Sequence, residues 1–129
     1  MIAVDTNILV RVLTNDDPVQ AERAAKIIRE NDIYISKSVI LETEWVLRYT
    51  YKIEKKIIIA AFEKVFGLPN VQIEDFKTVQ QAILWHEYGL DFADALHLAS
   101  SRTVGKFATF DIKFANKAKT VTEISIIQV

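Results

Sequence analysis

Asp5, Glu42, Asp94 and Asp111 are four carboxylates with no lysine or arginine three or four residues away to neutralise them. Asp5 ends the strand-like run "MIAV" where a helical run begins, and Asp111 ends "KFATF" in the same way. In open α/β sheets ligands bind beyond the carboxyl ends of the strands, so both acids belong where a ligand would sit. A helix cap is the simpler role for either one.

Asp94 lies inside "DFADALHLASSRT", whose first turns offer almost no polar face. An ionised carboxylate in such surroundings calls for a pairing partner or a metal. A structural salt bridge is the alternative. Asp91 shares that helix face, but after Gly89 and Leu90 it reads first as an N-cap. In "SVILETEWVLR", Glu44 stands four residues before Arg48, the favoured orientation for a surface ion pair. Glu42 has Ser38, Val39, Trp45 and Val46 around it, and is expected to be the inward acid.

Like charges converging in a low-dielectric site raise one another's pKa unless a cation holds them. A set of hard oxygen ligands, with no cysteine in the chain and no required histidine, selects Mg²⁺ or Mn²⁺ over zinc. One or two such ions suit phosphoryl transfer, by activating a water and stabilising charge on the leaving oxygen.

The elements that must position these acids alternate. Strands are expected at 2–4, 32–36, 106–110 and within "TVTEI", with "VQI" (71–73) too short to assign. Helices are expected over 7–13, from Pro18 with Asp17 as cap, and over 38–49, 54–66, 76–88, 91–103 and 112–118. Gly67, Gly89 and Gly105 suit left-handed C-terminal caps. Strands separated by helices predict an α/β fold, a central mostly parallel sheet of four to five short strands flanked by helices, in one domain over 1–129.

The 129 residues are half hydrophobic, with 16 basic and 17 acidic side chains and a net charge of −1. That balance does not advertise a nucleic-acid binder, yet if four acids were neutralised in a metal site the remaining surface would be basic. The absence of cysteine suits a reducing cytosol and excludes thiol chemistry. No signal peptide opens the chain and no apolar run approaches bilayer length, so a cytoplasmic location is expected. A mean hydropathy of +0.14 and the apolar runs "IIIAAF" and "EWVLRYTY" point to a covering partner or second copy.

"VDTN" after an opening strand, "VILE" on the third helix, "DFADALHLA" late in the chain and "ATFD" closing a strand resemble, in that order, the PIN domain and within it the VapC-type toxins of toxin–antitoxin modules. The resemblance spans essentially the whole chain. It implies a three-layer fold and a divalent-metal-dependent ribonuclease in which Asp5, Glu42, Asp94 and Asp111 bind Mg²⁺ or Mn²⁺ and carry catalysis. Thr6, Asn7 and Thr109 match small polar positions that orient the cluster, and Asp91 stands behind it. Many relatives carry another acid two residues past the one matching Asp111, where this chain has Lys113. The resemblance gives no catalytic role to His97.

Arg11, Lys113, Lys117 and Lys119 are candidate RNA contacts, since positive charge bordering the site would hold phosphates near it. Lys52, Lys55 and Lys56 form a second basic group of unassigned role. The resemblance further implies a homodimer and a VapB-type antitoxin that lays an apolar helix in a groove and a basic side chain among the acids. Two other readings stay open. One is a PIN-fold module that binds metal or RNA without turnover. The other is a receiver domain phosphorylated on aspartate, which would need an acidic pair where "VDTN" offers one acid.

Overall fold

The computed structural model describes residues 1–129. The chain forms two compact units, Met1–Glu74 and Asp75–Val129. No helix is long and apolar enough to cross a membrane.

The first unit runs β1 (Ile2–Ala3), α1 (Thr6–Thr14), α2 (Pro18–Glu30), β2 (Ile33–Ile35), α3 (Lys37–Tyr49), α4 (Lys55–Phe66) and β3 (Val71–Ile73). Its strands pair in parallel in the order β1-β2-β3, with Ile2 opposite Ile33 and Ile35 opposite Ile73. Parallel strands need crossovers, and the helices supply them. Ile33 and Ile35 are fully buried. Polar side chains close the junctions. Asp17 accepts from the Gln20 amide ahead of Pro18, and Ser36 Oγ accepts from the Val39 amide. Asn70 Nδ2 donates to the carbonyls of Ile28 and Asn31, tying the end of α2 to the approach to β3.

The second unit runs α5 (Phe76–Glu87), α6 (Phe92–Ser100), β4 (Lys106–Thr109), α7 (Ile112–Ala118) and β5 (Ser125–Gln128). Helices α5 and α6 pack as an antiparallel pair around Val79, Ala82, Ala95 and Leu98. Between them Gly89 takes φ +114°, a conformation that disfavours any side chain. His86 is buried there, its Nδ1 2.6 Å from the Leu90 carbonyl and its ring edge-on to Phe92. Strands β4 and β5 pair in parallel.

The α/β class and the parallel pairing agree with the sequence, and "VQI" is a strand. The differences are local. The five strands hydrogen-bond as a group of three and a group of two. The last strand begins at Ser125, after "TVTEI" has passed without strand structure, and Lys106 pairs with Ser125. Helix α6 stops at Ser100, three residues short of the expected end. Gly67 has φ −79°, so α4 ends without a left-handed residue, while Asn15 supplies one for α1 at φ 53°.

The largest correction concerns α3. Its buried residues are Ile40, Thr43, Glu44 and Leu47, a 3–4–7 stripe that places Glu44 in the core at 2% exposure. Glu42 falls on the outward face with Ser38, Trp45 and Tyr49. The ion pair is present, Arg48 Nε donating to Glu44 Oε2 at 2.8 Å, but one partner is buried. Trp45 and Tyr49 stack on each other at the surface, 5.2 Å between ring centroids, so large apolar side chains misreport the inner face.

Removing one partner of a buried pair strands the other charge. Arg48→Met should therefore cost about 2 kcal/mol in urea unfolding, and the double change Glu44→Met with Arg48→Met should cost less than the single one. Equal or larger loss in the double variant would contradict this role for the pair.

Candidate metal centre

In the first unit the chain turns from strand to helix at Asp5. The Asp5 carboxylate accepts from the Thr6 amide at 2.8 Å and its carbonyl from Ile8, so the acid is the N-cap of α1. The positive end of the helix dipole favours a carboxylate there. Beside it the Thr6 hydroxyl is buried with no hydrogen-bond partner. Buried hydroxyls rarely stay unpaired, so this atom marks a place where something else could bind. Asn7 is exposed and lines a cavity of about 600 Å³ together with Arg11, Gln20, Arg23 and Lys26.

Arg11 is largely committed. Its Nε donates to Gln20 at 2.6 Å, and its Nη1 to Asp16 at 3.0 Å and to Tyr51 at 3.2 Å. Tyr51 in turn donates to Asp16 at 2.7 Å, and that bond leads the effects holding the Asp16 carboxyl below its ordinary range. Only Nη2 of Arg11 is left for a phosphate. Glu42, on α3, is exposed.

In the second unit Asp91, Asp94 and Asp111 line one cavity of about 680 Å³, with Lys113 and Lys117 on its wall. Asp91 caps α6, accepting from the Asp94 amide at 3.3 Å. Asp111 caps α7, accepting from the Phe114 amide at 2.9 Å, and its own amide donates to Thr109 Oγ1 at 3.0 Å. Thr109 thus fixes the backbone turn at Asp111. Asp94 has neither cap nor counter-ion. Burial first, then the negative fields of Asp91 and Asp111, push its carboxyl above the ordinary carboxylate value, and His97 offsets this only in part. His97 itself is exposed, and Lys119 lies past the end of α7 outside the cavity lining.

In neither unit do three or more Asp, Glu or His side chains gather closely enough to hold a metal by themselves. Asn116 and Thr120 also line the second cavity and were not singled out from the sequence. The spacing 113, 116, 117, 120 is helical and would have placed them beside Lys113 and Lys117.

A family model of the PIN domain matches residues 2–120. The chain belongs to the PIN domain family. Among solved structures it is similar to Mycobacterium tuberculosis VapC20, described as a sarcin–ricin loop cleaving toxin, at 21% identity over 97% of this chain and 99% of that one, with a TM-score of 0.46. No curated protein matches the chain. The PIN assignment spans both units and includes all four carboxylates singled out from the sequence.

The raised Asp94 carboxyl has a consequence for stability. A group harder to ionise in the fold than in the unfolded chain costs stability once pH rises past its ordinary value near 3.8, and at neutral pH that cost is present. Asp94→Asn should therefore melt at a higher temperature than wild type at pH 7 in EDTA, and the gap should close as pH falls through the carboxylate range. A lower melting temperature for the variant at pH 7 would contradict the crowding of charge.

Proposed function

We propose that this PIN-domain protein is a divalent-metal-dependent endoribonuclease, working in the cytoplasm as the toxin of a VapBC-type pair. The observation that carries the reading is Asp94: a partly buried carboxylate, in the field of two others, with no cation paired to it. Charge arranged at that cost is characteristic of sites built to bind or react.

Asp5, Glu42, Asp94 and Asp111 are the proposed ligands of Mg²⁺ or Mn²⁺, one or two ions. The donors fit such an ion, being hard oxygens alone, and the unpaired Thr6 hydroxyl beside Asp5 adds a polar group that needs a partner. When bound, the cation supplies an activated water and neutralises charge on the leaving oxygen. The chain's own groups do the rest. Capping bonds at helix N-termini orient Asp5 and Asp111, Thr109 fixes the turn at Asp111, Asn7 offers an exposed amide, and Lys113, Lys117 and Lys119 attract the RNA backbone.

The proposed assembly is a homodimer restrained by a VapB-type antitoxin. Exposed apolar side chains support a covered surface: Trp45 at 50%, Tyr49 at 58% and Ile57 at 58% exposure, while the rest of "IIIAAF" divides between core and surface. A monomeric mass by light scattering at micromolar concentration would count against the homodimer.

Asp5→Asn and Asp94→Asn should each lower Mn²⁺-dependent cleavage of RNA at least ~100-fold, the order of loss expected when a group stabilising transition-state charge is removed. Cleavage undiminished in both variants would reject the nuclease.

A further inference from the structure

Lys117 does not extend freely into solvent. Its side chain crosses the backbone of Gly89, so closely that a β-carbon on that glycine would stand 2.7 Å from Lys117 Cε and 3.1 Å from Nζ. The φ of +114° at Gly89 independently disfavours a side chain there. A glycine thus opens the track along which the lysine stem lies, and the ordering costs the stem rotamer freedom.

The ammonium reached by that track forms no ion pair, although it lines the same cavity as Asp91, Asp94 and Asp111. If its role were to neutralise the acids, it would pair with one of them. Instead it is an unpaired cation in the lining of an anionic pocket. An RNA strand entering such a pocket meets repulsion from the acids, and a positive charge in the same lining is what would draw a phosphate in. A lysine ammonium suits that role as a point charge. The cavity, at about 680 Å³, is within the range of roughly 300–1,000 Å³ typical of small-ligand clefts. Asn116 and Thr120 on the same wall offer hydrogen bonds to a sugar or base.

We infer that Lys117, laid across Gly89, is a positioning residue that binds the phosphate of an RNA nucleotide next to the one being cleaved. The inference rests on the ribonuclease reading for the identity of the polymer, and its test separates the two. The probe is a fluorescein-labelled 12-nucleotide single-stranded RNA of mixed sequence, with binding measured in EDTA across a salt series. Each phosphate contact on a single strand contributes a slope of about −0.7 to log K against log [salt]. Lys117→Met should make that slope shallower by about 0.7. Lys117→Arg should restore it in part, and Lys64→Met, a change on exposed α4 remote in sequence, should leave it unchanged. In Mn²⁺ the Lys117→Met variant should raise KM more than it lowers kcat. Gly89→Ala, if its melt shows it folded, should reproduce the Lys117→Met slope, and combining the two changes should add nothing.

An unchanged slope and KM in Lys117→Met, with cleavage still dependent on Asp94, would overturn the inference and leave the nuclease standing. The shallower slope in a protein that binds RNA but never cuts it would uphold the Lys117 contact and refute the nuclease.

Discussion

An ionised carboxylate leaves water only at a cost, and Asp94 bears that cost with no bound counter-charge. It sits on a helix whose other residues are mostly core, Phe92, Ala95, Leu96, Leu98 and Ala99 among them. The two nearest fields, from Asp91 and Asp111, are also negative. Under the proposed function a cation would relieve that cost, because it would offset the same negative field that raises the pKa.

The fold's contribution is to deliver acids to strand-to-helix junctions. Asp5 and Asp111 each end an extended segment and begin a helix, and Asp91 begins one after a glycine turn. Each is therefore an N-cap, with a backbone amide already bonded to one oxygen. A cap and a metal ligand are compatible roles, because a carboxylate has two oxygens and several lone pairs. The capping bond occupies one oxygen of each side chain and leaves the other available.

Much of this was legible from residue types and order. Strand-ending acids, the Asp in an apolar helix, and the N-cap role of Asp91 follow from local rules, and short connections kept the elements close to their expected bounds. On helix α3 the apolar neighbours of Glu42 and the Arg48 spacing of Glu44 point to the wrong inner face. Trp45 and Tyr49 look like core and stack on the surface, whereas Thr43, a polar residue, is fully buried. The phase of the helix stripe, set by Ile40 and Leu47, was the better guide. The final strand was misplaced because "TVTEI" has the β-branched composition of a strand, while its position is set by pairing with β4, a long-range constraint that composition does not carry. The track of Lys117 over Gly89 was invisible for the same reason, the two being 28 residues apart in the chain.

Glu42 keeps its place among the proposed ligands although it is exposed, since a metal ligand must reach a solvent-connected cleft and a buried Glu44 already has Arg48. The two acids on one helix thus differ in setting, Glu44 buried and paired with Arg48 and Glu42 exposed.

The most direct test of the central claim is anomalous diffraction from a crystal soaked in Mn²⁺. The account predicts a peak within about 2.5 Å of carboxylate oxygens of Asp94 and Asp111. A fully soaked crystal with no anomalous density at Asp94 would contradict it.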